Sequence, residues 1–318
     1  MKPKLLYYEI LKYQPGNQDL LSQHFDVLRL PNPQHDTPEI LAQCHVILAP
    51  LGHYVGQAKI DAAPKLRVIG SNTTGHPHID VAYARAKGIA VVTLKGEHAF
   101  LDTITPTAEL TWGLIVALTR NMHAATRSIL DGTWDRRPFG GKAMLSRLSL
   151  GVAGYGRLGR KVAHYGLAFG MQVAACDPFV DEYETGVERV PDLGTLVKRS
   201  DIVTVHIPHE PETENMFNAD LFAAFKPGAW FINTSRGELV DGDALLEALV
   251  SNRLTGAAMD VIPHEFDPDF DIHDNPLWQY AVGHDNLLLT PHIGGSTLDA
   301  WGETERFTIV RILEALEK

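Results

Sequence analysis

Short apolar runs alternate with longer amphipathic segments along most of this 318-residue chain. Helix-like stretches such as IDVAYARAKG (79–88) separate runs that are rich in β-branched and aromatic side chains. In the N-terminal third these runs are KLLYYEI (4–10), DVLRL (26–30), VILAP (46–50), LRVIGS (66–71) and IAVVTL (89–94). Strands that alternate with helices are typical of a parallel sheet with helices on both faces. The pattern therefore predicts a first α/β domain that ends near residue 98.

A different period follows this first series. Residues 105–132 read as one long helix, with Pro106 near its start and Gly132 near its end, where those residues are favoured. A segment rich in Gly, Arg and Pro (133–147) then leads to a second alternating series and a last predicted helix (297–318). The predicted strands of this second series are LSLGVAG, QVAACDP, DIVTVHI, AWFINTS, GAAMDVI and NLLLTPH. The pattern therefore predicts two α/β domains.

Composition narrows the possible functions. The formal net charge is −11 and no basic run occurs, which is not typical of a protein that binds nucleic acid or anionic membranes. Cys44 and Cys176 lack the spacing of a disulfide framework or a zinc ribbon and fit a reducing compartment. The N-terminus turns polar early, and no apolar run reaches the ~18 residues of a membrane span. We therefore expect a cytoplasmic protein.

A glycine-rich motif opens the second series. Gly154, Gly156 and Gly159 form G-x-G-x-x-G between an apolar strand and a helical pattern. The first glycine permits a tight turn, the second lets a pyrophosphate approach the backbone, and the third lets the helix pack on the strand. The helix N-terminus then favours the phosphates, and Arg157 adds a positive charge inside the turn. The motif predicts a dinucleotide site.

An acidic residue in the next strand indicates which dinucleotide binds. Asp177 follows Gly159 by 18 residues, close to the ~20 expected for the acid that binds the adenosine ribose. A carboxylate there accepts a hydrogen bond from the 2′-hydroxyl and repels a 2′-phosphate. The alternative is a structural glycine turn with a solvated aspartate. We predict NAD rather than NADP.

Three residues suited to acid–base chemistry follow predicted strand ends in the same domain, where open α/β sheets bind ligands. Arg236 follows AWFINTS, Glu265 follows GAAMDVI and His292 ends NLLLTPH. An arginine fork binds a carboxylate, a histidine carries a proton, and a glutamate orients the imidazole and favours its charged form. Singly, each residue has a structural explanation: a surface ion pair, an acidic loop or a core histidine. Together they indicate an acid–base site beside a redox cofactor.

Several of these stretches resemble the D-isomer-specific 2-hydroxyacid dehydrogenase family, and the resemblance covers nearly the whole chain. They are GVAGYGRLGR, VTVHIPHEPETENMFN, FINTSRGELVDGDALLEAL, GAAMDV, NLLLTPHIGGST and, near the N-terminus, SNTTGHPHID. The resemblance implies an α/β fold of two Rossmann-like or flavodoxin-like doubly wound domains with a cleft between them. Residues 1–98 and 297–318 would form the substrate (catalytic) domain and residues 99–296 the NAD-binding Rossmann domain.

The resemblance also implies the reaction and the residues that perform it. A small 2-oxo acid and its D-2-hydroxy acid would be interconverted with NAD, and Arg236, Glu265 and His292 would be catalytic. Backbone N–H groups near Thr74 and Gly75 would bind the substrate carboxylate opposite Arg236. The substrate contacts implied are Thr74, Gly75, Arg236 and His292. The cofactor contacts implied are Thr107, Gly154, Gly156, Arg157, Leu158, Gly159, Asp177, His206, Pro208, Thr213, Thr234, Ser235, Asp260 and Gly294.

The same resemblance implies a homodimer, in which the predicted helix at 105–132 and the arm around Trp134 resemble the family's dimerisation elements. Among the implied cofactor contacts, Asp260 would contact the nicotinamide carboxamide and His206 would lie along the cofactor. No nucleic acid, membrane or metal is expected as a partner.

Some positions depart from the family pattern and leave the substrate open. Phe266 follows Glu265 where proline is common, and Thr107 stands where valine is frequent. His76, Pro77 and His78 replace a more typical stretch beside the carboxylate-binding loop. Alternatives are a phosphite or phosphoglycerate dehydrogenase, or an NAD-sensing, corepressor-like interaction protein. A formate dehydrogenase of this type would pair its histidine with glutamine, which Glu265 argues against.

The segment 263–285 is long and acidic for this family. Its candidate ligands for a divalent ion are His264, Asp267, Asp269, Asp271 and His273. An acidic loop in an acidic protein is usually solvated, and hydride transfer needs no metal. We therefore expect no metal site.

Overall fold

The computed structural model describes residues 2–141, 143–267 and 269–317. The chain forms two compact units, each with its own parallel sheet. Unit 1 comprises Met1–Ile104 and Ser296–Lys318, and unit 2 comprises Thr105–Gly295.

Unit 1 has a five-stranded parallel sheet with the order β2-β1-β3-β4-β5, as in flavodoxin-like doubly wound folds. Its strands are β1 (Lys4–Tyr8), β2 (Asp26–Leu30), β3 (Val46–Leu48), β4 (Val68–Gly70) and β5 (Ala90–Val92). Its helices before unit 2 are α1 (Pro15–His24), α2 (Pro38–Leu41), α3 (Gln57–Asp61), α4 (Val81–Ala86) and α5 (His98–Leu101). All five strands lie within the predicted apolar runs. Every residue of β3 and β4 is buried, which explains why their sequences are continuously apolar.

Unit 2 has a seven-stranded parallel sheet with the order β12-β11-β10-β9-β6-β7-β8, the order of a Rossmann fold. Its strands are β6 (Ser149–Ala153), β7 (Gln172–Cys176), β8 (Val187–Arg189), β9 (Ile202–Val205), β10 (Ala229–Asn233), β11 (Leu254–Met259) and β12 (Leu287–Leu289). Its helices are α6 (Pro106–Thr119), α7 (Met122–Leu130), α8 (Arg157–Ala168), α9 (Leu193–Arg199), α10 (Ala219–Ala224), α11 (Gly242–Val250) and α12 (Pro276–Gly283). Six strands were predicted; the seventh, β8, is a three-residue edge strand.

The prediction of one long helix over 105–132 is wrong. Helix α6 ends at Thr119, and α7 begins at Met122. Between them Asn121 has a φ of 51°, in the left-handed region that asparagine tolerates better than most residues. The apolar spacing continues across this break, because periodicity records which side chains are apolar and not how one residue turns the backbone.

The C-terminal helix α13 (Leu298–Glu317) belongs to unit 1. Ile309 and Ile312 are buried in the core that covers one face of the unit 1 sheet. The buried Glu305 accepts hydrogen bonds from the Gln14 N–H at 2.8 Å and the Asn17 side chain at 2.9 Å, which tie α13 to α1. Although α13 has 20 residues, no helix in the described part of the chain is both long and apolar enough to cross a bilayer.

Candidate active site

The glycine-rich turn joins β6 to α8, and its glycines meet different surroundings. Gly154 has a φ of 87°, and a Cβ there would lie 2.6 Å from the His206 carbonyl oxygen. A Cβ on Gly159 would overlap the Gly154 carbonyl. In contrast, a Cβ on Gly156 would meet no atom of the described residues within 4 Å. Packing within the protein therefore requires the first and third glycines, whereas the second leaves open space in which a phosphate fits.

Helix α8 begins at this turn and has the features of an anion site. Gly156 is its N-cap, and no side chain of the described residues caps it. The helix has 12 residues, beginning with Arg157, and Leu158 packs partly against the unit 2 core. Unpaired N–H groups and the helix dipole favour a phosphate at such a position.

Asp177 lies beside the same turn, directly after β7. One carboxylate oxygen accepts the Tyr155 N–H at 2.8 Å and the other accepts the Phe179 N–H at 2.9 Å. The Gly154 N–H donates to the Cys176 carbonyl at 2.9 Å and fixes the turn to the end of β7. Each carboxylate oxygen keeps a further lone pair, so the group can also accept hydrogen bonds from ribose hydroxyls.

His206 is a buried neutral residue at the end of β9. Burial lowers its pKa to about 3. Its Nε2 lies 3.0 Å from the Thr204 hydroxyl, and its Nδ1 has no hydrogen-bond partner among the described residues. A buried ring nitrogen without a partner is consistent with a polar ligand at this position. The sequence predicts that this ligand is the cofactor.

Two predicted cofactor residues hold the segment after His206. The Ser235 hydroxyl donates to the Ile207 carbonyl at 2.5 Å. The Thr213 hydroxyl lies 2.9 Å from the Pro208 carbonyl and accepts the Glu210 N–H at 2.9 Å. Both hydroxyls therefore position the backbone around Pro208, and their direct contact with the cofactor stays a prediction.

Thr107, Asp260 and Gly294 come together at the other end of the predicted cofactor site. A Cβ on Gly294 would lie 3.0 Å from one Asp260 carboxylate oxygen and 3.2 Å from the Thr107 methyl carbon. Asp260 is 1% exposed. Nearby, the Thr234 hydroxyl lies 2.8 Å from that of Thr111. If these residues contact the same nicotinamide ring, as predicted, they must lie close to one another, and they do.

Asp260 also holds the loop that carries His292. Its carboxylate accepts the Thr290 hydroxyl at 2.6 Å, the Ile293 N–H at 2.9 Å and the Gly294 N–H at 2.7 Å. The Asp260 carbonyl accepts the His292 N–H at 2.8 Å. These bonds support a φ of 51° at His292, a left-handed conformation uncommon for a non-glycine residue. The buried carboxylate thus fixes the backbone that presents the imidazole.

His292 and Glu265 form a close pair. The His292 Nδ1 lies 2.8 Å from a Glu265 carboxylate oxygen. The His292 side chain is 28% exposed and that of Glu265 only 12%, so the carboxylate is the more enclosed partner. The Phe266 ring lies 5.3 Å from the imidazole. Because Nδ1 faces the carboxylate, Nε2 is the nitrogen left to exchange a proton with a ligand.

Arg236 follows β10 on a turn that packs against the segment leading to Glu265. One guanidinium nitrogen donates to the Ser235 carbonyl at 2.6 Å, and the Asn233 side chain donates to the Arg236 carbonyl at 2.8 Å. A Cβ on Gly237 would overlap the backbone of residues 262 and 263. Glycine is therefore required where the segments that carry Arg236 and Glu265 meet.

The predicted carboxylate-binding residues Thr74 and Gly75 lie in unit 1, after β4. Within the described residues, the N–H groups of Thr74, Gly75 and His76 donate to no backbone or side-chain acceptor. Such N–H groups in a loop are suited to bind an anion.

The candidate metal ligands do not converge. His264 lies 3.2 Å from Asp267. Nowhere in the described ranges do three His, Cys, Asp or Glu side chains come together as metal ligands.

Sequence reasoning missed several supporting hydroxyls. Thr290, Thr204 and Thr111 each contact a predicted site residue. Thr204 lies two positions before His206, whereas Thr111 and Thr290 contact residues 123 and 30 positions away in the chain. Contacts at such distances give no local signal in the sequence.

The sheet order, the glycine turn and Asp177 define unit 2 as a dinucleotide-binding domain that carries a histidine–glutamate pair. Residues 112–294 match the family model of the D-isomer specific 2-hydroxyacid dehydrogenase, NAD binding domain. The chain belongs to the D-isomer specific 2-hydroxyacid dehydrogenase family, as its motifs predicted, and the prediction of NAD as cofactor is confirmed.

Two curated relatives have an identity of 37%. One is the D-3-phosphoglycerate dehydrogenase of Methanocaldococcus jannaschii, matched over 82% of this chain and 48% of that protein. The other is the hydroxypyruvate reductase of Thermotoga maritima, matched over 76% of this chain and 74% of that protein. The chain spans about half the length of the phosphoglycerate dehydrogenase.

Solved structures show the same fold. The D-lactate dehydrogenase of Aquifex aeolicus, crystallised with NAD and lactic acid, is 27% identical with a TM-score of 0.83. The match covers 98% of this chain and 95% of that one.

Proposed function

We propose that this chain is an NAD-dependent enzyme that interconverts a small 2-oxo acid and the corresponding D-2-hydroxy acid. The observation that carries the proposal is the 2.8 Å contact between His292 and Glu265 within the NAD-binding domain. Such a pair supplies what a hydride-transfer reaction needs from the protein, a proton donor held in one orientation.

The roles of the three residues follow from their chemistry. When bound, NADH supplies the hydride that reduces the substrate carbonyl carbon. The Nε2 of His292 donates a proton to the carbonyl oxygen, while Glu265 orients the imidazole and stabilises its charged form. The Arg236 guanidinium binds the substrate carboxylate through two parallel hydrogen bonds. In the oxidation direction His292 accepts the hydroxyl proton.

The cofactor contacts fall into three groups in this proposal. Gly154, Gly156, Arg157, Leu158 and Gly159 surround the pyrophosphate, and Asp177 binds the adenosine ribose. The segment that contains Pro208 and is held by Thr213 and Ser235 lies along the cofactor with His206. Thr107, Thr234, Asp260 and Gly294 form the nicotinamide end.

The side chain of the substrate is the open part of the proposal. The matched relatives act, by name, on phosphoglycerate, hydroxypyruvate and lactate, which share a 2-oxo or 2-hydroxy acid group. We propose that Thr74 and Gly75 bind the carboxylate with their N–H groups, which leaves the third substituent to the surrounding loops. Phosphite oxidation and a corepressor-like scaffold are the alternatives to test against.

NADH oxidation across a panel of 2-oxo acids tests the proposal. The panel contains glyoxylate, hydroxypyruvate, phosphohydroxypyruvate, pyruvate, phenylpyruvate and branched 2-oxo acids, with phosphite and NAD assayed separately. We expect saturable turnover with at least one 2-oxo acid. Tight NADH binding without turnover of any compound would contradict the enzyme and favour the scaffold.

We also propose that the chain forms a homodimer through α7 and the arm that follows it. All of α7 is described and none of its residues is buried. Leu130 is 81% exposed and Trp134 is 90% exposed, and Met122 and Ile129 of the same segment are exposed as well. Large apolar side chains that are exposed together mark an interaction surface. Light scattering after size-exclusion chromatography should give twice the chain mass, and Trp134→Glu should shift it toward the monomer. A wild-type monomer would contradict this assignment. The cytoplasmic location stays a prediction.

A further inference from the structure

The loop between β4 and α4 contains the HPH stretch that departs from the family pattern. It also contains Thr74 and Gly75, so the inference below rests on the proposal that their backbone binds the substrate carboxylate. The loop is anchored at both ends. The Ser71 N–H donates to the Val92 carbonyl at 2.9 Å, and the His78 carbonyl accepts the Val55 N–H at 2.8 Å.

A chain of three side-chain contacts crosses the loop between these anchors. His78 is 5% exposed, and its Nε2 lies 3.1 Å from the Ser71 hydroxyl oxygen. That oxygen lies 3.0 Å from the Thr73 hydroxyl oxygen. The Thr73 hydroxyl in turn donates to the Gly75 carbonyl at 2.6 Å. The buried imidazole is thereby connected to the peptide group that follows Gly75.

All three contacts are hydrogen bonds in only one direction of the chain, and in that arrangement the buried His78 Nδ1 has no hydrogen-bond partner among the described residues. A carbonyl only accepts hydrogen bonds, so the single hydroxyl proton of Thr73 goes to Gly75. Ser71 must then donate to Thr73, and the Nε2 of His78 must donate to Ser71. Burial lowers the pKa of His78 to about 4, although the Ala49 carbonyl opposes this effect, so the ring is neutral at neutral pH. The neutral tautomer that satisfies all three contacts carries its proton on Nε2.

The last bond of the chain sets the orientation of one peptide group. The Gly75 carbonyl and the His76 N–H belong to the same planar peptide, and in a trans peptide they point in opposite directions. Holding the carbonyl on Thr73 therefore turns the His76 N–H away from Thr73. A flip of this peptide, by rotation about ψ of Gly75 and φ of His76, would exchange the two groups. A flipped carbonyl oxygen would repel a carboxylate that the N–H attracts.

We propose that His78 is a positioning residue for substrate binding. Through Ser71 and Thr73 it holds the Gly75–His76 peptide in the orientation that adds the His76 N–H to those of Thr74 and Gly75 around the substrate carboxylate. It touches neither the substrate nor the cofactor. Its loss therefore weakens binding of the 2-oxo acid and leaves proton transfer by His292 intact.

The test compares two substitutions of the same residue. His78→Leu removes the Nε2–H donor, whereas His78→Gln can present an amide N–H at a similar distance from Cβ. We expect KM for the preferred 2-oxo acid to rise about tenfold in His78→Leu, with kcat within about twofold and NADH affinity unchanged. His78→Gln should recover most of the wild-type KM. Equal effects of the two variants, or an unchanged KM in His78→Leu, would overturn the proposal.

Matched variants separate positioning from general damage. Thr73→Val removes the donor to Gly75 and should reproduce the KM effect, while Thr73→Ser keeps the hydroxyl and should not. His45 is a half-buried histidine of the same unit whose Nδ1 accepts the Lys4 N–H at 3.1 Å. His45→Gln should leave KM unchanged. If KM rises as much in His45→Gln as in His78→Leu, substitution of any histidine in the unit raises KM. That result would overturn the proposal.

Amide hydrogen exchange distinguishes failure of this inference from failure of the proposed function. Peptides covering residues 71–79 should exchange faster in His78→Leu than in the wild type and His78→Gln, whether or not the enzyme turns over. If the wild type reduces no 2-oxo acid, the proposed function fails. The exchange result then shows by itself whether His78 holds residues 71–79 in place. Identical exchange in all three proteins would overturn the chain even in an active enzyme.

Discussion

The loop after β12 and the loop after β4 both follow strand ends, yet different groups hold them. In the first, the buried Asp260 carboxylate accepts two backbone N–H groups and a hydroxyl around His292. In the second, a series of neutral hydrogen bonds runs from His78 through Ser71 and Thr73 to the Gly75 carbonyl. Hydrogen bonds to an ionised group are about twice as strong as neutral ones. The proposed proton donor is thus fixed more firmly than the proposed carboxylate site.

The difference fits the role that we propose for each loop. Proton transfer needs donor and acceptor within hydrogen-bond reach, and a small displacement is expensive in rate. Binding a carboxylate through backbone N–H groups tolerates more variation, because the charge interacts with several donors at once. Substitutions in the first loop should therefore lower kcat, and substitutions in the second should raise KM.

The largest effect is expected from His292→Ala, which removes the proton donor. General acid catalysis contributes about 10²–10⁴-fold, so kcat for 2-oxo acid reduction should fall by about that factor. NADH affinity, measured by fluorescence titration, should not change. A kcat near the wild-type value would assign the proton to another group.

The next largest effect is expected from Asp260→Asn. The amide has one acceptor oxygen, and its NH₂ group faces a backbone N–H, so at least one of the Ile293 and Gly294 bonds is lost. A displaced catalytic loop costs about 10² in rate, and kcat should fall by about this factor. Asp192→Asn is a suitable control, because Asp192 caps α9 and asparagine caps equally well. An effect on KM alone would break the contrast between the loops.

A smaller effect is expected from Arg236→Lys. Lysine keeps the charge but not the two parallel donors of the guanidinium, so KM for the 2-oxo acid should rise by about tenfold with a smaller change in kcat. Initial rates over a range of substrate concentrations separate the two. A normal KM would mean that the carboxylate is bound elsewhere.

The smallest effect is expected from Glu305→Gln, which lies in neither loop. Burial raises the pKa of Glu305 above its usual 4.5, although bonds from Asn17 and Gln14 oppose this. The folded protein therefore binds this proton more tightly than the unfolded chain does. Its contribution to stability is present below pH 4.5 and is lost as the pH rises through the raised pKa. Thermal unfolding should become less pH-dependent over this interval in Glu305→Gln, with KM unchanged; equal pH dependence in both proteins would contradict it.

Much of the fold could be predicted because buried strands consist of apolar residues, and runs of apolar residues are visible in the sequence. Except for the edge strand β8, the strands of both sheets overlap predicted apolar runs, because a parallel strand that is covered on both faces buries all of its side chains. The glycine-rich turn was recognisable because packing against His206 and Gly154 excludes any side chain at two of its positions. The break at Asn121 was not recognisable, because one left-handed residue leaves the apolar spacing unchanged.

The residues that support the site were harder to find than those proposed to perform the chemistry. Arg236, Glu265 and His292 belong to residue types with few other reasons to follow strand ends. Thr290, Ser71 and Thr73 are common residues whose importance comes from the group that each contacts. The Thr290 contact joins segments that are distant in sequence, and the contacts of Ser71 and Thr73 lie within one loop. The sequence marked HPH as unusual, but only the distances connect His78 to Gly75.

The pairing of His292 with Glu265 is the central claim, and one measurement tests it directly. It is kcat for 2-oxo acid reduction in the wild type and in Glu265→Gln, with NADH saturating. The glutamine side chain can place its NH₂ group against Nδ1, so it holds the imidazole in one orientation less firmly than the carboxylate does. We expect kcat to fall by about tenfold or more in Glu265→Gln, with NADH affinity unchanged. A kcat equal to that of the wild type would contradict the claim that Glu265 supports His292 as the proton donor.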